Sequence, residues 1–187
     1  MKDKGAILIH DVVTLSFLLP FSFLCLAEVV FHYTIYPMFL THALMAHMAI
    51  DLAWIFSQPQ IIMSYRRLIV LHHLVALSLL MYPMFKPFDA RLTAICGIIE
   101  FDTSIMLLRR LSFGKKKFFN RLYLLSNMFL RVYYETFLSI LVWNYFRYDN
   151  VWVRLHVMTG QLFINVFSYG ICCLTYTKNI RKHLKRL

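Results

Sequence analysis

Apolar runs of about 20 residues, enough to span roughly 30 Å of hydrocarbon at ~1.5 Å per residue, recur along the whole chain. Short polar or turn-forming stretches separate them: Gln58-Pro59-Gln60, Lys86-Pro87, Phe113-Gly114-Lys115-Lys116-Lys117 and Arg147-Tyr148-Asp149-Asn150. The runs cover residues 11–31, 35–56, 68–85, 90–108, 121–145 and 151–176, and a basic tail follows at 177–187. Such a pattern leaves few folds open, because in hydrocarbon each backbone polar group must be satisfied within the protein, and helices do this segment by segment. The expected fold is all-α, a polytopic membrane bundle of six transmembrane helices in a single domain over 1–187. No stretch is left over for a separate soluble domain.

Composition supports this reading where it bears on it. The chain of 187 residues is 60% hydrophobic and carries only nine carboxylates, which no soluble core of this length requires. The net charge of +11 does not indicate nucleic acid, because the basic residues sit at the ends of apolar runs and not along one solvated face. They read as topology signals and headgroup contacts. The first run is too long for a signal peptide and is expected to be a span. Cys25, Cys96, Cys172 and Cys173 fall within apolar runs without metal-type spacing, so they read as buried thiols.

Lysine-rich and arginine-rich loops stay cytosolic. One side holds Lys2, Lys4, Arg66, Arg67, six basic residues in 109–121 and five in 178–186, against Lys86, Arg91, Arg147 and Arg154 on the other. Both termini are therefore expected in the cytosol. The remaining basic residue, Arg131, falls inside a span.

Ionisable residues inside spans cost roughly 2.5–3.5 kcal/mol each near a helix centre on insertion scales, so they read by default as functional. Counting ~1.5 Å per residue from the span ends places Asp51, His72, His73, Asp102, Thr103 and Asn127 in one layer toward the cytosol. Glu100, Arg131, Asn165 and His47 fall nearer the midplane. Residues four apart share a helix face, as do His47 and Asp51, Asn127, Arg131 and Glu135, and Gln161 and Asn165. Polar stripes of this kind are expected to line a cavity. The competing reading is structural hydrogen bonding between packed helices.

A histidine titrating near neutrality can take a proton from an amine or hydroxyl and return it to a leaving group. Asp51 is level with the His72-His73 pair and would fix the tautomer of one of them. These three residues are the candidate catalytic set. Glu100, Asp102, Thr103, Asn127, Arg131, Asn165 and His47 are the candidate substrate-binding set. Arg131 needs an acceptor, and Glu100 is the depth-matched one, with Glu135 one turn along its own helix. The Lys115-Lys116-Lys117 run reads as a headgroup-binding face or as an entrance patch for a phosphate-rich donor such as an acyl-CoA.

Three stretches together carry a family resemblance: Ile50-Asp51-Leu52, Leu71-His72-His73-Leu74-Val75, and Gly97-Ile98-Ile99-Glu100-Phe101-Asp102-Thr103 ending in Leu108-Arg109. With Asn165, Tyr169 and the basic tail from Lys178, they resemble the TLC domain, named for the TRAM, Lag1 and CLN8 proteins. The resemblance covers nearly the whole chain and implies a lipid-concerned protein of the endoplasmic reticulum or a connected membrane. In the ceramide synthase branch, a histidine pair and a later His-Asp pair accompany N-acylation of a sphingoid base by acyl-CoA. Here the first pair is His72-His73, and Ile99-Glu100 stands where the second would fall. The chain is thus nearer the short TLC-domain-containing proteins.

The implied function is acyl-CoA-dependent acyl transfer to a lipid amine or hydroxyl, with acyl-CoA as co-substrate and no bound cofactor. The alternative is a non-enzymatic protein that binds lipid or regulates lipid composition with the same cavity. Expected partners are membrane lipids and fatty acyl chains, not nucleic acid. Small residues Ala46, Ala49 and Ala53 suit a close helix contact, within the chain or in a homodimer. Metal-dependent oxidation is disfavoured, because His42 and His47 with a bare His72-His73 pair do not make the repeated histidine boxes such sites need. A channel is disfavoured because no filter-like loop interrupts the runs.

Overall fold

A computed structural model describes residues 4–31, 37–59, 65–112 and 116–184. Lys2, the start of the expected span at 35 and 36, Lys115 of the basic run and the end of the tail at 185–187 lie outside the described residues. The chain is helical throughout these segments, with no strand among them. The helices are α1 (Lys4–Phe31), α2 (Pro37–Ser57), α3 (Arg66–Phe85), α4 (Ala90–Gly97), α5 (Glu100–Leu111), α6 (Lys116–Met128), α7 (Glu135–Phe146) and α8 (Val151–Leu184). A 3₁₀ turn, Pro87–Asp89, precedes α4, and a π-helical segment, Phe129–Tyr134, joins α6 to α7.

Four helical stretches are each long and apolar enough to cross a membrane: Gly5–Phe31, Met38–Ser57, Arg66–Phe85 and Val151–Ile180. They are compatible with a multi-pass membrane protein. The other two expected spans are not single α-helices. The run 90–108 is divided after Gly97, and 121–145 contains the π-helical segment. The first helix also starts at Lys4, not at 11, which brings His10 and Asp11 inside it.

The chain divides into two compact units, Met1–Leu111 and Ser112–Leu187. In the first, α1 packs against α4 and α5, and α2 packs against α3 and α4. The buried face of α1 runs through Asp11, Thr14, Leu18, Phe21, Cys25 and Glu28, the three-and-four spacing of one helical stripe. Here the stripe is partly polar.

At the end of α4, Gly97 sits close against α1. A Cβ on Gly97 would lie 2.6 Å from Cys25 Sγ and 3.0 Å from the Phe21 ring, so only glycine allows α4 to approach α1 this closely. The chain then turns through Ile98 and Ile99. Three i→i+3 bonds, Ile99 N to Cys96 O, Phe101 N to Ile98 O and Asp102 N to Ile99 O, satisfy backbone groups across the turn. Such bonds are how an interrupted helix stays tolerable at membrane depth. At the start of α3, Tyr65 adopts φ 61°, a left-handed conformation that costs a non-glycine residue roughly 1–2 kcal/mol.

In the second unit, α7 and the π-helical segment pack on α8, and α6 also reaches it. Polar residues of this unit are buried as well, among them Asn127, Arg131, Glu135, Gln161 and Ser168.

Candidate functional site

In the first unit, three helices meet at one carboxylate. Asp51 on α2 has its Oδ1 2.6 Å from His10 Nε2 on α1 and its Oδ2 3.4 Å from His73 Nε2 on α3. Each oxygen therefore faces one imidazole nitrogen, an arrangement that two N–H donors satisfy. All three side chains are largely buried, His73 the least at 15% exposure. The set continues outward from His10, whose Nδ1 lies 3.6 Å from Asp11 Oδ1. Asp11 Oδ2 lies 3.0 Å from Arg110 Nε at the end of α5, which brings in a fourth helix. Trp54, one turn beyond Asp51 on α2, stands at right angles to the His10 ring, with centroids 5.3 Å apart and planes at 87°.

His73 ends this series on α3. With Nε2 turned to Asp51, its other nitrogen, Nδ1, is buried and has no hydrogen-bond partner. A buried polar atom without a partner costs free energy, and buried nitrogens in proteins almost always find one. An unprotonated Nδ1 here presents a lone pair, the arrangement a base or nucleophile requires. His72 stands beside it with its ring 5.6 Å away and tilted 62°.

The remaining expected residues divide by unit. In the first, His47 stacks on Phe17 of α1 at 4.5 Å and 13°, one turn before Asp51 on α2. Asp102 is buried at 2% exposure in the first turn of α5, with Glu100 and Thr103 beside it in sequence. His42 donates from Nδ1 to Met38 O at 2.7 Å within its own helix. Among the described residues, no group of three or more His, Cys, Asp or Glu side chains is placed to hold a metal ion.

Asn127, Arg131 and Asn165 belong to the second unit, where they join a separate polar seam. Gln161 Nε2 donates to Glu135 Oε1 at 2.9 Å and to Ser139 Oγ at 3.3 Å. Asn165 Nδ2 donates to the same Ser139 oxygen. The expected one-face relation of Gln161 and Asn165 therefore holds, with Ser139 as the shared acceptor. Asn127 is fully buried, and Arg131 lies in the π-helical segment at 7% exposure. The expected pairing of Arg131 with Glu100 joins residues of different units, Glu100 in Met1–Leu111 and Arg131 in Ser112–Leu187.

Sequence reasoning missed His10, Asp11 and Arg110. A first span that begins at 11 leaves His10 as flanking chain. The available signal was the polar stripe at 11, 14, 22 and 28, which continues at helical spacing from within the span back to the His10-Asp11 pair. Arg110 reads from sequence only as a topology residue.

No family model, curated protein or solved structure matches this chain.

Proposed function

We propose that the protein is a lipid-metabolic membrane enzyme that transfers an acyl group from acyl-CoA to a lipid amine or hydroxyl, with His73 as the reacting histidine. The observation that carries this reading is the buried, unpartnered Nδ1 of His73, whose opposite nitrogen faces Asp51. Asp51 holds the proton on Nε2 and so keeps Nδ1 available. As the acceptor nitrogen or oxygen attacks the thioester carbonyl, a new bond to the acyl carbon forms and the C–S bond breaks. The Nδ1 lone pair takes the acceptor's proton and returns it to the departing thiolate. The same lone pair can instead accept the acyl group transiently before passing it on.

The reading includes the finer parts of the sequence expectation: a TLC-like bundle of six spans around a polar cavity, both termini cytosolic, in the endoplasmic reticulum or a connected membrane. Arg66 and Arg67 begin α3, and Arg109 lies in the last turn of α5. All three lie at helix ends in the unit that holds His73, where a phosphate-rich donor would meet positive charge. Glu100, Asp102 and Thr103 are assigned to the acceptor's polar head.

One observation favours a second reading, lipid binding without chemistry: Ile99-Glu100 occupies the place of the second His-Asp pair in the ceramide synthase pattern. A single experiment separates the two. Full-length protein in nanodiscs is given labelled acyl-CoA and a panel of lipid amines and alcohols, alongside His73→Ala. Label in a lipid product with wild type and its loss in the variant support catalysis. Intact lipid that copurifies equally with both proteins, without turnover, supports binding.

A further inference from the structure

We propose that Asp11 and Arg110 are positioning residues for His73, acting through His10 and Asp51. The inference rests on the reading of His73 as the reacting group. It concerns three side chains, His10, Asp11 and Arg110, that take no part in the proposed chemistry.

To orient His73, Asp51 needs a fixed carboxylate plane. An aspartate carboxylate has a broad, roughly two-fold χ2 preference, so one partner at 3.4 Å leaves its plane poorly defined. His10, at 2.6 Å on the other oxygen, supplies the second point that fixes it. His10 faces the same problem one step out, because an imidazole held at one nitrogen can still tilt or flip. Its Nδ1 lies 3.6 Å from Asp11 Oδ1, an electrostatic contact longer than a hydrogen bond, and the Trp54 ring of α2 stands at right angles to the imidazole.

Asp11 needs an anchor in turn. Arg110 provides it, its guanidinium Nε 3.0 Å from Asp11 Oδ2. The Asp11 side chain is 5% exposed while that of Arg110 is 41% exposed. The series therefore runs from a half-exposed guanidinium to a largely buried imidazole, with basic and acidic groups alternating: Arg110, Asp11, His10, Asp51, His73. It also crosses elements, from the last turn of α5 to α1, α2 and α3. The placement of Nδ1 on His73 thus depends on the docking of the end of α5 against α1.

A purely structural role, a tie between α5 and α1, would lower stability without changing the state of His73. The test reads both. Full-length ¹⁵N-histidine-labelled protein in phospholipid nanodiscs is compared with Asp11→Asn, Arg110→Gln and Arg110→Lys. The His73 signal is assigned by its loss in His73→Gln. In wild type, His73 is expected in a single tautomer with its proton on Nε2. Asp11→Asn and Arg110→Gln are expected to give a mixture of tautomers, and Arg110→Lys, which keeps the charge, to restore the single form in part.

With labelled acyl-CoA, the two charge-removing variants are expected to lower kcat about 10–100-fold with KM within about twofold, the signature of a misplaced reacting group. A lowered unfolding midpoint with an unchanged His73 tautomer in both variants would overturn the proposal. So would unchanged tautomer and kcat together. Arg110→Gln replaces a half-exposed side chain, which keeps a folded variant in hand if Asp11→Asn does not fold. Absence of transfer by wild type would count against the acyl-transfer reading alone, and the tautomer comparison would still decide this one.

Discussion

His10 Nε2 lies 2.6 Å from Asp51 Oδ1, joining α1 to α2 across a sequence separation of 41 residues. Because the other Asp51 oxygen faces His73, this one carboxylate serves histidines on two different helices. Asp51→Asn keeps the size of the side chain but replaces one acceptor oxygen with a donor. Two imidazole N–H groups cannot both be satisfied by the amide. Acyl transfer is expected to fall by at least about 100-fold, as when an orienting carboxylate is neutralised beside a catalytic histidine. Stability is expected to fall by about 1.5–3 kcal/mol, the range for a hydrogen bond to a charged group. Transfer assays and thermal unfolding of the same nanodisc preparation check both.

The two adjacent histidines should respond differently to substitution. His73→Ala removes the nitrogen that faces Asp51 and is expected to cost about 10²–10⁴-fold in transfer, the usual contribution of a positioned acid–base group. His72→Ala is expected to stay within about tenfold of wild type, because the Asp51–His73 contact remains. Measured rates for the two single variants decide the assignment, and an equal loss in both would contradict it.

Two glycines, Gly97 and Gly170, have opposite surroundings. Gly97→Ala places a methyl group 2.6 Å from Cys25 Sγ and is expected to destabilise the protein by about 1–3 kcal/mol, the typical cost of overpacking. Pairing it with Cys25→Ala should recover part of the loss, since the Phe21 ring at 3.0 Å remains. At Gly170 in α8, an added methyl group would meet nothing within 4 Å. There, alanine is expected to stabilise the helix by about 0.5–1 kcal/mol. Unfolding midpoints of the three variants test both signs.

In the second unit, Gln161→Leu removes the amide that donates to Glu135 and Ser139. The expected loss is about 1–3 kcal/mol for leaving buried acceptors short of a donor. Transfer activity per folded molecule is expected to remain within about twofold. Activity normalised to the folded fraction measures this, and a large drop would tie the seam to the reaction.

The helical class and most of the polar register were legible in the sequence. Hydropathy marks the helices that contain Asp51 and His73, and the four-residue spacing places Gln161 and Asn165 on one face because spacing on an α-helix is fixed geometry. Depth counting puts Asp51 level with the histidine pair, and the contact to His73 agrees with that. What counting along each helix separately could not supply was rotation and partner choice. It gives no reason to prefer His73 over His72, since adjacent residues differ by ~100° in direction and hardly in depth. It also loses His10 and Asp11 to a boundary, because helix ends are the least determined part of a hydropathy profile. The close approach of Gly97 to Cys25 escapes notice because the two residues lie far apart in sequence.

The π-helical segment Phe129–Tyr134 makes residue count as important as residue type in the second unit. A π turn accommodates one more residue than an α turn, and such bulges arise as single insertions within a helix. Deleting one residue between 129 and 134 would let the segment relax to α geometry and turn everything after it by about 100°. Glu135 and Ser139 would then swing away from Gln161 and Asn165, although no residue that donates or accepts in the seam had been replaced. A deletion of one apolar side chain there should therefore do as much harm as removing a polar one, and a shift in length among related chains at this point would mark a differently wired second unit.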